Sequence, residues 1–446
     1  MTLLFGALLV ALIACLALEG RLHAKKSVIA GVFAVAGLLL AELFHLLPSA
    51  AVVGFGGQEI RLPLYIPPVN WEVIAIILGS SLFVDITSRS GLFTWIAIKL
   101  TKASGGDPRK LLVSYGVLTV VFSAVLNNVT AMVIVGSLSA VSLQKLGRRE
   151  KLLGFLLIEG LLTNVGGLLT LVSSVPNIIV GNAAGITFVR FFLKTSPYVV
   201  VATAATLWLG AKLFRIEPLR GEEERARARQ LVAGFDENDG IESRGFFWFG
   251  AAMTLCFIGV LATTSVLPYV RELGMGYVAL AFACIMLVRY KAVADRFYRA
   301  VDWDLLGFFV GLFVFIGVVE RAQVLHALGG GMQHLVGLGP TAGTASVLWG
   351  AALVSSVTDN IPLAAMLAHI LAGLQTASDS PLWWSVVFGA NLGGNLTPIG
   401  SASTLVAVTI MHMHKLPLTF GGFVRAAGVY ALVQLALATA YVLLTA

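Results

Sequence analysis

The chain has 446 residues, is 58% hydrophobic and only 12% charged, and has a mean hydropathy of +0.91. Soluble domains carry about 25% charged residues, so composition alone excludes an ordinary water-soluble enzyme. The net charge of +7 is no nucleic-acid signal, because the cations sit in short loops between apolar runs, as they do in membrane proteins.

In chain order, apolar segments fall at 2–18, 27–47, 70–98, 111–143, 152–185, 188–211, 246–263, 267–288, 303–338, 343–374, 380–411 and 419–445. Runs of ~20 apolar residues span a bilayer. The first 18 residues lack a basic start and a small-residue cleavage site, so they read as a retained helix and not a signal peptide. Cys15, Cys256 and Cys284 form no spaced cluster, which points to no disulfide framework, metal site or cofactor. Residues 212–244 differ from the rest: they hold 7 Lys+Arg and 8 Asp+Glu and read as a solvated linker.

One pattern occurs twice. Val69-Asn70-Trp71 returns as Val301-Asp302-Trp303, and Asn127-Asn128 as Asp359-Asn360, each 232 residues later. Asn164-Val165-Gly166-Gly167, with Thr170 and Ser174, returns 227 residues later as Asn391-Leu392-Gly393-Gly394, with Thr397 and Ser401. The expected organisation is N-terminal membrane helices over 1–68, a first repeat over 69–211, a cytoplasmic linker over 212–244, linking helices over 245–300 and a second repeat over 301–446.

Orientation follows from Lys and Arg in short loops. Lys99, Lys102, Arg109 and Lys110 precede segment 111–143, and Lys145, Arg148, Arg149 and Lys151 follow it, so both its ends are expected in the cytoplasm. Its 33 residues are short for two helices of ~20, so a re-entrant hairpin turning at Asn127-Asn128 is predicted. Segment 343–374 has Lys/Arg-free flanks and would enter from outside, turning at Asp359-Asn360. The predicted fold is an all-α polytopic membrane protein with two inverted repeats. It has ten spanning segments, two of them broken helices (152–185 and 380–411), and two hairpins, with both termini outside a cell inner membrane.

Non-helical backbone at membrane depth is tolerated only where protein buries it or it lines a wet cavity. The hairpin tips and the two Gly-rich breaks are therefore the candidate site. The candidate solute-binding residues are Asn127, Asn128, Thr130, Asn164, Gly166, Gly167, Thr170, Ser173, Ser174 and Asn177 in the first copy. In the second they are Asp359, Asn360, Asn391, Gly393, Gly394, Thr397, Gly400, Ser401 and Ser403. Glu159 is the one charged residue in 152–189 and Asp359 the one in 341–378, and both are expected to couple transport to protons. Asp85 with Arg89, and Glu320 with Arg321, read as structural pairs.

Leu126-Asn127-Asn128-Val129-Thr130, Asn164 to Asn177, Thr358-Asp359-Asn360-Ile361-Pro362 and Asn391 to Ser401 together resemble the ion-transporter superfamily, in its arsenite-permease and sodium/proton-antiporter branch. The resemblance also takes in the P-protein type and, more distantly, sodium–dicarboxylate carriers. Thr397-Pro398-Ile399-Gly400-Ser401 is similar to arsenite permeases in particular. The resemblance implies a scaffold part and a transport part whose hairpin tips and breaks meet at one site. The four loops contain no Arg or Lys, which suits an uncharged trihydroxide such as arsenite. The expectation is therefore proton-coupled efflux of arsenite and antimonite, with a sodium/proton antiporter as the alternative and a sodium-coupled dicarboxylate or citrate carrier third. Beyond lipid and a small solute or ion, no nucleic-acid partner is expected, and the protein would act as a monomer or homodimer. No Gly-x-x-x-x-Gly-Lys-Ser/Thr loop occurs, so a soluble arsenite-stimulated ATPase would have to act in trans.

Overall fold

Backbone polar groups in hydrocarbon must pair within their own segment, so each apolar run closes into helix. The computed structural model describes residues 1–46, 51–53, 59–299, 301–358, 360–416 and 418–445. The first helices are α1 (Thr2–Ala17), the one-turn α2 (Glu19–Leu22) and α3 (Lys26–Leu43). Two three-residue strands, β1 (Ala51–Val53) and β2 (Glu59–Arg61), pair antiparallel, with Ala51 opposite Arg61. Then come α4 (Trp71–Ser88), α5 (Leu92–Ala103), α6 (Pro108–Val125), α7 (Asn128–Lys145), α8 (Leu152–Gly166), α9 (Val175–Ala184) and α10 (Phe188–Leu213). The linker holds α11 (Glu222–Ala233).

The second half runs α12 (Arg244–Thr263), α13 (Val270–Val288), the short α14 (Ala294–Tyr298), α15 (Trp303–Arg321) and α16 (Val324–Val336). It ends with α17 (Pro340–Ser355), α18 (Asn360–Gly373), α19 (Pro381–Gly393), α20 (Ala402–Met413) and α21 (Phe420–Leu444). Among the described residues, eight helices are long and apolar enough to cross a membrane.

The repeated motifs now have physical causes. Asn70 caps α4 by accepting from the Val73 amide at 3.2 Å, and Asp302 caps α15 by accepting from the Leu305 amide at 2.9 Å. The apolar run 70–98 breaks after Ser88, where Gly91 takes a positive φ of 80°. The run 303–338 breaks at the matching place, where Gln323 has φ 61°. Each run, expected as one segment, therefore yields a spanning helix plus a separate arm, α5 or α16. Asp85 and Arg89 pair at 3.6 Å, whereas Glu320 lies 3.9 Å from His369 on α18.

Packing shows the inversion without reference to a membrane. The first half of broken helix one, α8, packs along α20, the second half of broken helix two; α9 packs along α19. Parallel copies would pair first halves with first halves. The same exchange governs the remaining helices. α6 packs on α8 as α17 packs on α19, and α7 packs on α20 as α18 packs on α9. Helix α13 packs against α4, α3 against α15, α12 against α5 and α1 against α16. Two bodies result. One comprises α6–α10 and α17–α21; the other comprises α1, α3, α4, α12, α13 and α15. Arms α5 and α16 bridge them.

Hairpin one is longer than its apolar run, because its polar ends also wind into helix. Each arm has 18 residues, about 27 Å at ~1.5 Å per residue. Both of its ends meet the linker. The Asp107 carboxylate accepts from the Leu219 amide at 2.9 Å, and Lys145 lies 4.1 Å from the Phe235 ring. Arg148 pairs with Glu224. Entry and exit of this hairpin thus lie on one face, the linker face.

Candidate solute-binding site

The two hairpin tips and two breaks meet at the junction of the repeats. Each hairpin is fastened to its own broken helix by the same pair of hydroxyls. In the first copy the Ser123 hydroxyl donates to the Thr163 carbonyl at 2.6 Å, and Thr170 donates to the Ala124 carbonyl at 2.7 Å. In the second, Ser355 donates to the Ala390 carbonyl at 2.6 Å and Thr397 to the Ser356 carbonyl at 2.5 Å. Close approach requires glycine at the same point in both. A Cβ on Gly166 would lie 2.7 Å from the Val120 Cα, and one on Gly393 would lie 2.8 Å from the Ala352 Cα.

Across the junction, asparagines interlock. The Asn164 amide donates to the Asn395 side-chain oxygen at 2.8 Å and to the Ser401 hydroxyl at 2.9 Å. Its mate in the repeat, Asn391, donates to the Asn177 side-chain oxygen at 2.8 Å and accepts from the Ser174 hydroxyl at 2.7 Å. Thr163 donates to Ser403 at 2.8 Å. From hairpin one, Asn128 accepts from Ser123 at 2.6 Å and reaches Asn164 at 3.5 Å, and a Cβ on Gly167 would lie 2.9 Å from its amide group.

Some predicted residues serve their own loops. Asn127 caps α7 by accepting from the Thr130 amide at 2.7 Å. Ser173 and the Asn177 amide both donate to the Gly167 and Thr170 carbonyls. Gly394 and Gly400 lie against each other, a Cβ on Gly400 falling 3.0 Å from the Gly394 Cα. Asn360 opens α18. Asp359 lies outside the described residues.

Several network members carry no repeat signal. Asn395 donates to the Leu161 carbonyl at 3.1 Å and to the Gln434 side-chain oxygen at 2.7 Å, and Gln434 donates to Thr206 at 2.9 Å. Polarity inside an apolar helix is the sole sequence signal for Gln434.

Four helices, α7, α9, α18 and α20, start at this junction, so four N-terminal dipole ends are directed toward it. Ser401 caps α20 by accepting from the Thr404 amide at 3.2 Å, whereas the Ser174 hydroxyl is turned to Asn391 and leaves the first turn of α9 without a side-chain cap. Among the described residues the two breaks and the tips contain no Lys, Arg, Asp or Glu. Glu159 sits 0% exposed, one turn before Thr163, and takes one hydrogen bond, from Ser139.

The family model described as "Citrate transporter" matches residues 6–389. The chain belongs to this citrate-transporter family. An uncharacterized transporter of Mycobacterium bovis is 31% identical over 381 residues, covering 84% of this chain and 86% of its own. The P protein of Homo sapiens is 23% identical over 491 residues, covering 91% of this chain and 58% of its own. The YdaH transporter of Alcanivorax borkumensis, whose topology is described as unusual, shares the fold at TM-score 0.62 and 13% identity, covering 94% of this chain and 98% of its own. MtrF of Neisseria gonorrhoeae follows at TM-score 0.59 and 13% identity, with 94% of each chain covered. This citrate-transporter family member is thus a multi-pass membrane transporter. The superfamily read from the motifs agrees with these relatives; the family is the citrate-transporter one, where the motifs pointed to the arsenite-permease and sodium/proton-antiporter branch.

Proposed function

We propose that this family member is a secondary carrier for a small carboxylate-bearing solute, bound at the junction of the four breaks and moved by alternating access. The observation that carries the reading is the convergence of four helix N-termini on a polar junction with no described side-chain charge. Helix N-termini are ready-made anion sites, and they compensate a carboxylate without lysine or arginine. The Asn164–Asn395–Ser401 and Ser174–Asn391–Asn177 bonds hold the junction together. The solute replaces part of this network as it binds. The family match supports the carboxylate class over arsenite.

Arsenite remains the second reading, on one observation: an uncharged solute needs no counter-charge, and the Thr397 to Ser401 break supplies hydroxyl and amide partners. In either case the linker 212–244 lies in the cytoplasm and both termini lie outside an inner membrane. The reciprocal packing supports placing α1 and α3 with the first copy and α12 and α13 with the second.

Uptake into proteoliposomes under imposed proton or sodium gradients tests this. Saturable uptake of labelled citrate or a dicarboxylate, lost in Asn391→Ala protein that still purifies as a folded species, is the expected result. Arsenite accumulation without carboxylate uptake would overturn it in favour of the second reading. Sodium-induced collapse of the pH gradient with neither solute moving would leave a sodium/proton antiporter.

A further inference from the structure

The two repeats are built alike at the breaks, but among the described residues a buried row of proton-exchanging groups runs through the first. Glu159 on α8 is 0% exposed; Oε1 accepts from the Ser139 hydroxyl on α7, and Oε2 has no hydrogen-bond partner among the described residues. Ser142 lies one turn beyond Ser139 on the same face of α7. Its hydroxyl pairs at 2.7 Å with that of Tyr115 on α6, and Tyr115 pairs at 2.7 Å with Thr101 on α5. Ser104 then donates to the Thr101 carbonyl at 2.6 Å and accepts from the Gly106 amide at 3.1 Å, at the loop that the linker covers. At the other end, Thr163 lies one turn after Glu159 and bonds Ser403 at the junction.

The fold does not need this row. Applying the repeat offsets of 232 for the hairpin and 227 for the broken helix, Tyr115, Ser139, Ser142 and Glu159 become Val347, Leu371, Leu374 and Val386. All four counterparts are hydrocarbon, and the second hairpin packs on its broken helix without them. A buried carboxyl with one hydroxyl partner has no packing rationale here, and such groups inside membranes are proton-relay candidates. The charged groups on the elements packed around α8 are Arg109 and Lys110 on α6, Lys145 on α7, Arg190, Lys194 and Lys212 on α10, His412 on α20, Arg425 on α21, and Arg149, Glu150 and Lys151 in the turn that precedes α8; α19 carries none, and among the described residues no ion pair joins any of them to Glu159. Among the described residues, the side chain bonded to Glu159 is Ser139.

We propose that Glu159 is a proton-binding site of the carrier, exchanging with cytoplasmic water through Ser139, Ser142, Tyr115 and Thr101 at the base of hairpin one. Each hydroxyl releases its own proton as it receives the next, so none ends charged. The proton path of Glu159 therefore runs through the first repeat, while the solute site draws on both. The assignment rests on the transporter reading but not on the choice of solute.

Infrared difference spectroscopy of the full chain in liposomes, without solute, tests it. Wild type should show a protonated-carboxyl C=O band at neutral pH that is lost in Glu159→Gln and shifted in Ser139→Ala. On transfer to D2O the band should exchange several-fold more slowly in Tyr115→Phe and Thr101→Val. A spectrum that Glu159→Gln leaves unchanged overturns the site. Exchange unaltered in both Tyr115→Phe and Thr101→Val overturns the route. A failure of carboxylate uptake would leave these spectra untouched, so the two readings fall separately.

Discussion

Replacing Gly393 with alanine tests whether the spacing of α17 and α19 is set by absent side chains. The added Cβ would lie 2.8 Å from both the Ala352 Cα and the Ser355 Cβ, and closer still to the Ala352 carbonyl oxygen. Ordinary carbon contacts begin near 3.4 Å, so the hairpin arm must back away by more than half an ångström. That motion also pulls on the 2.6 Å bond from Ser355 to the Ala390 carbonyl and the 2.5 Å bond from Thr397 to the Ser356 carbonyl. Overpacking costs about 1–3 kcal/mol, and weakening a buried hydrogen bond adds ~1 kcal/mol. Against this, alanine in a helix gains about 0.5–1 kcal/mol over glycine. The net is a loss of about 1–3 kcal/mol, with transport reduced more than stability, because the strained bonds hold the break. Gly350, on the same arm, is the control: nothing lies within 4 Å of its Cβ. Gly350→Ala should therefore stabilise by up to about 1 kcal/mol. Thermal melting in detergent and proteoliposome uptake measure both. A Gly393→Ala protein that melts at or above the wild type, with uptake intact, would refute the reasoning.

Three further outcomes are expected. Asn164→Ala removes the donor to Asn395 and Ser401; Ser401 keeps its bonds with Thr404, but the Asn395 side-chain oxygen is left unpaired, at a cost of about 1–3 kcal/mol; a melting point unchanged from wild type would contradict this. The Glu237 carboxyl, held by Lys102 and by Lys99 at 3.1 Å, is lowered from 4.5 to about 2. Its contribution to linker docking is complete above the ordinary carboxylate value and fades as pH falls toward about 2. Protease cleavage of the linker should therefore be unchanged from pH 7 to 5 and faster in Glu237→Gln at neutral pH; equal rates would remove the pair from the account. Glu72 on α4 accepts from the Met275 amide at 3.2 Å and from Asn182 on α9 at 2.9 Å, joining the two bodies. Its repeat mate Asp304 holds Ser27 instead, with the backbone amide at 3.1 Å and the hydroxyl at 2.5 Å. A double-mutant cycle of Glu72→Asp and Asn182→Ala should show coupling of about 1.5–3 kcal/mol, and additivity of the two changes would exclude the link.

Much of the site was legible because it is written twice. Asn164 and Asn391, Gly166 and Gly393, and Thr170 and Thr397 occupy equivalent places and make equivalent contacts, so spacing alone marked them. Residues used once were hidden. Asn395 and Gln434 have no repeat signal, and Ser139, Ser142 and Tyr115 read as ordinary helix residues until α6, α7 and α8 are packed together. The arms α5 and α16 were also hidden, because the apolar runs 70–98 and 303–338 continue through the turns at Gly91 and Gln323; a backbone reversal there leaves hydropathy unchanged. Hairpin length was underestimated for the opposite reason: Pro108 to Lys110 and Gln144 to Lys145 are polar yet helical, since the arms emerge against the linker.

The reciprocal packing of α3 on α15 and α13 on α4 bears on how the chain is made. Helix α4 ends at Ser88 and its partner α13 begins at Val270. At about 5–20 residues per second, roughly 10–40 s of synthesis separate the two. During that interval α4 has lipid, or the insertion machinery, where α13 will later lie. The first half of this protein thus enters the membrane with an unfinished interface, and a gene split within the linker should require both halves in the same bilayer before either becomes stable.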